Sequence, residues 1–243
     1  MPRKSRIESV ADRNAAPNGA ASVDKALSLL AAFHAGDASL ALGKLAERAQ
    51  LYKSTALRAL ASLEHAGLVQ KLVDGSYALG SEIARLHGVY SASFSLDRIV
   101  MPALHRLVAE TGESAAYHVR QGAARLCLYR VDSPHPVRDH VRAGDVLPLD
   151  RGAGGRILVA FDETIKRRVT AKDKALYRAI VLQGFYAGTG DRLAEVAGIS
   201  APVFDGHSQV AGALTLTMPV HRYQAAYIAQ VVSTAAALST KLA

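Results

Sequence analysis

Between Ser22 and Gly80 the sequence changes its periodicity three times in about sixty residues, and this succession constrains the fold more than any other feature. In SVDKALSLLAAF the apolar residues Val23, Ala26, Leu27, Leu30 and Ala31 recur at helical spacing, with Ser22 placed to cap the first turn. GDASL interrupts the pattern. ALGKLAERAQ predicts a short second helix with Leu42, Leu45, Ala46 and Ala49 on one face. LYKSTALRALASLEHAG predicts a third, with Ser54 in position to cap it and Leu57, Leu60, Ala61 and Leu63 as its apolar stripe. Gly67 stands where a left-handed residue would end that helix. LVQKLVDGSYALG then alternates about Asp74-Gly75, a hairpin turn signal. Helix, short helix, helix, hairpin is the plan of a winged helix-turn-helix. In that plan the second helix of the turn pair enters the DNA major groove and the hairpin lies against the phosphate backbone.

The polar face of the third helix suits that role. Tyr52, Lys53, Ser54, Thr55 and Arg58 avoid the apolar stripe and crowd the first turns. There hydroxyls, cations and backbone N–H groups reach phosphates, and an arginine reaches a guanine edge. Lys71, on the first arm of the hairpin, joins them as a DNA-binding residue. A charged helix face is more often simply solvated. The preceding short helix and the hairpin in register turn the balance toward groove binding.

These motifs also carry a resemblance. SVDKALSLL, the Lys-Ser-Thr entry of LYKSTALRALASLEHAGLVQ and the Tyr-x-Leu-Gly that ends the wing resemble the N-terminal domain of IclR-type bacterial transcriptional regulators. LYRVDSPHPVRDHVRAGDVLPLDRGAGGRILVAF and GISAPVFDGHSQVAGALTLTMP resemble segments of the same family's second half, so the likeness spans residues 21–243. It implies a GAF-like effector-binding domain and a dimer-of-dimers assembly. Carried over by position, it implicates Asp139, Ala153, Gly154, Val196, Gly198, Thr215 and Thr217 in effector binding. The chain departs from the family at Asp150-Arg151, where His-Ala is usual.

The second half, read on its own residues, mixes helices with hairpin-joined strands. ESAAYHVRQGAARLCLYRV predicts two strands about Gln121-Gly122, and VRDHVRAGD is a further alternating stretch. GISAPVF and VAGALTLTM flank DGHSQ, another hairpin, and RILVAF follows a glycine-rich loop as a short helix. LDRIVMPALHRLVAETG is helical, with Pro102 bending it or marking its start. The fold class is α+β: a winged helix-turn-helix joined by a linker helix to a GAF-like domain with a mainly antiparallel sheet. The expected divisions are a flexible tail at 1–20, the DNA-binding domain at 21–80, the linker helix at 81–95 and the effector domain at 96–243.

Two features locate a ligand. DRGAGG, Asp150 to Gly155, offers bare N–H groups at a helix start, which suits a carboxylate or phosphate but equally a plain tight turn. In LTLT, Thr215 and Thr217 share one strand face opposite Leu214 and Leu216. If that face is buried the hydroxyls need partners, and if exposed they need none. With Arg138, Arg142 and Arg156 nearby, the expected effector is a small organic acid, aromatic acids among the candidates.

Composition removes several classes. The single cysteine, Cys127, excludes an internal disulfide and a cysteine-cluster metal site. No apolar run approaches a membrane span, and the charged N-terminus lacks the apolar core of a secretory signal, so a cytoplasmic protein without membrane contact is expected. The formal charge of +8 favours polyanionic partners, but the excess is spread over both halves. His135 and His140 lie near Asp132, Asp139 and Asp145, yet their spacing fits no metal signature and no nucleophile elbow is present. The expectation is therefore not an enzyme, with no metal and no cofactor. The protein would bind double-stranded DNA at a pseudo-palindromic operator as a homodimer or tetramer. A ligand-independent DNA-binding repressor, and an enzyme or small-molecule carrier with a helical appendage, are the alternatives.

Overall fold

The computed structural model describes residues 8–34, 36–93, 96–166 and 170–242. The chain forms two compact units, Met1–Phe94 and Ser95–Ala243. The first contains α1 (Val10–Arg13), α2 (Ala21–Leu30), α3 (Leu42–Ala49), α4 (Lys53–His65), the hairpin strands β1 (Val69–Lys71) and β2 (Tyr77–Leu79), and α5 (Ser81–Ser93). Its core joins Leu29 of α2, Leu45 and Ala49 of α3, Ala56, Leu60 and Leu63 of α4, and Val69 and Tyr77 of the hairpin. Arg48 ties the segment before α3 down by donating to the Ala32 carbonyl and pairing with Asp37. α4 ends as its sequence requires. Gly67 takes a φ of 71°, its N–H donates to the Glu64 carbonyl and that of Leu68 to Leu63. This is the Schellman arrangement, which only a residue tolerant of the left-handed region closes without strain.

Three local expectations shift. The buried face of α2 centres on Leu29, with Ala32 beyond its end and Ala26 and Leu30 packed beside it, while Val23 and Leu27 are exposed. α4 buries Ala56, Leu60 and Leu63 and leaves Leu57 and Ala61 outward. In both helices the face is set by the helix packed against it. The small Ala56 lets the backbones of the three-helix core approach, which rotates Leu57 out. The caps also move: α2 begins from Ala20 and α4 from Tyr52, neither with a side-chain cap bond, and Ser22 and Ser54 lie inside the first turns. Within the expected tail, Val10–Arg13 is helical with a reciprocal Ser9–Asp12 capping box, and residues 1–7 lie outside the described residues.

The second unit contains α6 (Leu96–Thr111), β3 (Ser114–Gln121), β4 (Ala124–Val131), β5 (Val146–Pro148), α7 (Ala153–Phe161), α8 (Glu163–Lys166), α9 (Ala171–Gln183), β6 (Tyr186–Thr189), β7 (Val196–Phe204), β8 (Val210–Pro219) and α10 (Tyr227–Leu242). Its six strands run in the order β5-β4-β3-β8-β7-β6, every neighbouring pair antiparallel. Leu214 and Leu216 of β8 and Ile199 of β7 pack with Leu104 and Leu107 of α6 and Val231 and Leu238 of α10. The opposite face meets α7, whose Ile157 and Leu158 cluster with Tyr177 and Ile180 of α9. Thr215 and Thr217 point to this second face, as period two demands. One expectation fails here. Residues 137–145 form no strand, and β5 begins only at Val146. Pro102 lies inside α6, one of the two placements read from the sequence.

The rotated stripe of α4 makes a direct test. Leu60→Ala, at a fully buried position, should lower unfolding free energy by about 2–5 kcal/mol. Leu57→Ala, on a half-exposed side chain, should change it by less than about 0.5 kcal/mol. Denaturant melts of the two variants compare them; a larger loss for Leu57→Ala would restore the face first read from the sequence.

Candidate functional site

The exposed face of α4 presents Tyr52, Lys53, Ser54, Leu57 and Arg58, with Thr55 half-buried behind them. Lys53 reaches back over the start of α3, its Cε 3.7 Å from where a Cβ on Gly43 would stand. No carboxylate pairs with Lys53, Arg58 or Lys71 among the described residues. The first turn of α4 has no side-chain cap, so its N–H groups stay available to an acceptor from outside. Lys71 is exposed on β1, beyond which Asp74 accepts from the N–H and hydroxyl of Ser76 to shape the hairpin tip. Cations without partners beside bare backbone donors form a surface matched to phosphates.

The second unit encloses a cavity between the sheet and the start of α7. Strand register sets its floor: Ser114 and Gly198 flank Thr217, and Ala116 and Ser200 flank Thr215. One hydrogen-bond chain crosses that floor. The Ser200 hydroxyl lies 2.9 Å from the Leu214 carbonyl and 2.9 Å from Thr215 Oγ1, and Thr215 Oγ1 lies 3.3 Å from His118 Nδ1. Each hydroxyl has one proton, so Ser200 donates to Leu214, Thr215 to Ser200, and the His118 Nδ1–H to Thr215. Glycines let α7 descend onto this floor. A Cβ on Gly154 would stand 2.8 Å from Thr215 Oγ1 and 3.0 Å from His118 Nδ1, and one on Gly198 would stand 3.0 Å from Ala153 Cβ.

The roof comes from the loop between β6 and β7. Asp191 accepts from the Gly152 N–H at 2.7 Å and pairs with Arg156 at 2.7 Å. Burial opposes ionisation of Asp191, but Arg156 more than offsets this and holds the carboxyl below its ordinary range. Arg192 pairs with Asp139, the carboxylate side chain of which is almost wholly buried. Arg130 donates to the Asp139 carbonyl and pairs with Asp132. Arg125, buried beneath Gly152 and Gly155, donates among the described residues only to the carbonyls of Pro148 and Arg151. Burial, then the charge of Arg192, lowers its pKa to about 10. Three buried polar atoms of the lining residues have no hydrogen-bond partner: Arg125 Nε, Asp139 Oδ2 and Thr217 Oγ1. The space lined by these residues is about 30 Å³.

All seven residues implicated by position, Asp139, Ala153, Gly154, Val196, Gly198, Thr215 and Thr217, line this one cavity. Other expectations change. Asp139 lies in a loop rather than a strand. The bare N–H groups of the glycine-rich turn are not all free, because Asp191 occupies the one at Gly152. Arg138 and Arg142 are exposed and off the cavity, and Arg156 is committed to Asp191. The cations that line it are Arg125, Arg130 and Arg192. Sequence reasoning missed Arg125 and His118, because which face of a strand turns inward is set by the sheet order. His135 and His140 are exposed, and no group of three or more potential metal ligands occurs among the described residues. Burial pushes the Cys127 thiol up to about 12, so it stays protonated as a core side chain.

His118 makes the cavity sensitive to acid. Burial first, then the charges of Arg125, Arg130 and Arg192, hold its ring neutral well below the usual 6.5. The unfolded chain takes up that proton below about pH 6.5 while the folded chain does not. Stability contributed by the neutral ring is therefore complete above that pH and declines as pH falls, by up to about 1.4 kcal/mol per unit. Melts between pH 7 and 5 should show this slope, and His118→Gln should flatten it; an unchanged slope in the variant would mean that His118 titrates normally in the fold.

Comparison with known proteins places both units. Residues 22–72 match the IclR helix-turn-helix domain and residues 89–176 the C-terminal domain of bacterial IclR transcriptional regulators. The chain is 27% identical over 217 residues to the glycerol operon regulatory protein of Streptomyces griseus, covering 83% of this chain and 85% of that protein. An IclR-type regulator from Silicibacter superposes with a TM-score of 0.77 at 24% identity, covering 91% of this chain and 96% of the other. An IclR homologue from Microbacterium hydrocarbonoxydans, solved with 4-hydroxybenzoate, superposes with a TM-score of 0.79 at 20% identity over 91% of this chain and 98% of that one. The relatives are transcriptional regulators rather than enzymes, and the chain belongs to the IclR family of DNA-binding transcriptional regulators.

Proposed function

We propose that this regulator reads its operator through α4 and that a small organic acid in the cavity of the second unit modulates the binding. On the DNA side, Arg58 and Thr55 lie nearest the bases, and Tyr52, Lys53, Ser54 and Lys71 serve the phosphates. One helix-turn-helix reads only a short half-site, so a two-fold assembly on a pseudo-palindrome supplies the affinity. The exposed Val23 and Leu27 of α2 and Leu86, Val89 and Tyr90 of α5 offer apolar surface for that dimer, or for a dimer of dimers. On the ligand side, one observation carries the reading: the cavity keeps three unpartnered buried polar atoms, which natural interiors rarely tolerate without a guest or water. The 4-hydroxybenzoate bound to the Microbacterium homologue supports an acid as the guest. The space, about 30 Å³, is of the order of one or two waters and far below what an aromatic ring requires, so the lining must part for any acid and parts least for a compact one. Binding acts by favouring one of two states that differ in operator affinity, which requires unequal affinity for the acid in those states.

Fluorescence anisotropy with duplexes selected from a random pool tests the DNA reading. Arg58→Ala should cost about 1–3 kcal/mol on the selected duplex and relax base preference. Lys53→Ala should weaken all duplexes alike and flatten the salt dependence. A uniform loss across sequences for Arg58→Ala would show that it does not read bases.

A further inference from the structure

The charges and unpartnered atoms around the cavity say more about the guest than that it is an acid. Each guanidinium that lines or roofs the cavity, except one, meets a carboxylate: Arg192 meets Asp139, Arg156 meets Asp191, and Arg130 meets Asp132, which the exposed Arg138 off the cavity shares. Arg125 is the exception. It is buried, no carboxylate lies within ion-pair distance among the described residues, and its Nε–H is unpartnered. A buried charge without a counter-ion is costly, and a bound anion removes that cost. The surplus is one positive charge, which matches a guest of charge minus one.

The other two unpartnered atoms set the rest of the guest. Thr217 Oγ1 is a hydroxyl and adds a donor on the cavity floor. Asp139 Oδ2 is a carboxylate oxygen and accepts only, while its companion Oδ1 is already taken by Arg192. The guest therefore needs an acceptor end for Arg125 and Thr217 and a donor for Asp139. An ammonium could be that donor, but an amino acid is neutral overall and would leave Arg125 unbalanced. A second carboxylate would meet Asp139 charge against charge.

We infer that the cavity selects a compact monoanionic hydroxy acid, its carboxylate received by Arg125 and Thr217 and its hydroxyl donated to Asp139. This rests on the acid-effector reading above and adds a hydroxyl requirement to it. Discrimination then falls at Asp139. An acid lacking the hydroxyl leaves a buried charged acceptor unsatisfied, and sites built this way reject the deoxy analogue strongly.

Calorimetric titration of the full-length protein with matched acids tests this. The set is glycolate and acetate; lactate, 3-hydroxypropionate, propionate, alanine and malonate; and 4-hydroxybenzoate with benzoate. The best-bound hydroxy acid should exceed its own deoxy parent by about tenfold or more, and alanine and malonate should bind more weakly than lactate or 3-hydroxypropionate. Asp139→Asn should shrink the preference over the deoxy parent to about threefold or less. Arg125→Lys keeps the charge but removes the Nε donor, and should weaken every acid while the hydroxyl preference persists. If Asp139→Asn does not fold, the wild-type series alone decides. Equal binding of hydroxy and deoxy acids overturns the inference and leaves an acid-responsive cavity standing. Tightest binding by alanine or malonate overturns the charge count, and tightest binding by 4-hydroxybenzoate overturns the compactness. Binding by none of the acids overturns the acid reading and this inference together.

Discussion

Asp191 does for the second unit what a ligand would do for an open loop. Its carboxylate accepts from the Gly152 N–H at the start of α7 and from Arg156 one turn on. The start of a helix carries unsatisfied donors and a positive partial charge, so a carboxylate placed there is held strongly. That contact fixes two elements at once: α7, lowered onto the strand floor by Gly154, and the loop between β6 and β7. With the loop fixed, Arg192 meets Asp139 and the roof closes. The cavity between them is a consequence of this pinning. Its small volume follows too, because the anion position at the helix start is already filled from within the chain.

The first unit solves a different problem. Its three helices and hairpin share a small core in which Leu29, Leu45, Leu60 and Tyr77 meet; α4 adds Ala56 and Leu63 to it and turns most of its other side chains outward. A short α3 and a three-residue turn, Gln50 to Tyr52, present the start of α4 with its cations unpaired. Gln50 takes a left-handed conformation at that corner, φ 54°, which sharpens the turn. The proposed reading of DNA through α4 needs no further construction than leaving these residues alone.

What the sequence revealed and what it hid divide along contact distance. Period two in LTLT placed Thr215 and Thr217 together, and Asp74-Gly75 and Gly67 marked turns, because each signal lies within a few residues. The stripes of α2 and α4 were read in part: Ala26, Leu30, Leu60 and Leu63 face the core, whereas Val23, Leu27, Ala31, Leu57 and Ala61 face outward. Alanine and leucine both count as apolar in a period, and only the neighbouring helix decides which of them faces inward. The bare N–H groups at Gly152 were visible as a local feature. That Asp191 fills one of them was not, since the partners stand 39 residues apart. The pairing of Asp139 with Arg192 spans 53 residues and is equally silent in sequence. Arg125 was overlooked because a charged residue on a strand reads as solvent-facing until the sheet order is known.

The claim that ties both units together is that the acid in the cavity and the DNA on α4 influence one another. Linkage makes this measurable from either end, since any factor by which the acid changes DNA affinity must equal the factor by which DNA changes acid affinity. Calorimetry of the best-bound acid, with and without saturating selected duplex, is the direct measurement. The acid's Kd should change by about fivefold or more when DNA is bound, matched by the same change in DNA affinity when acid is bound. An acid Kd that is identical with and without DNA would contradict it.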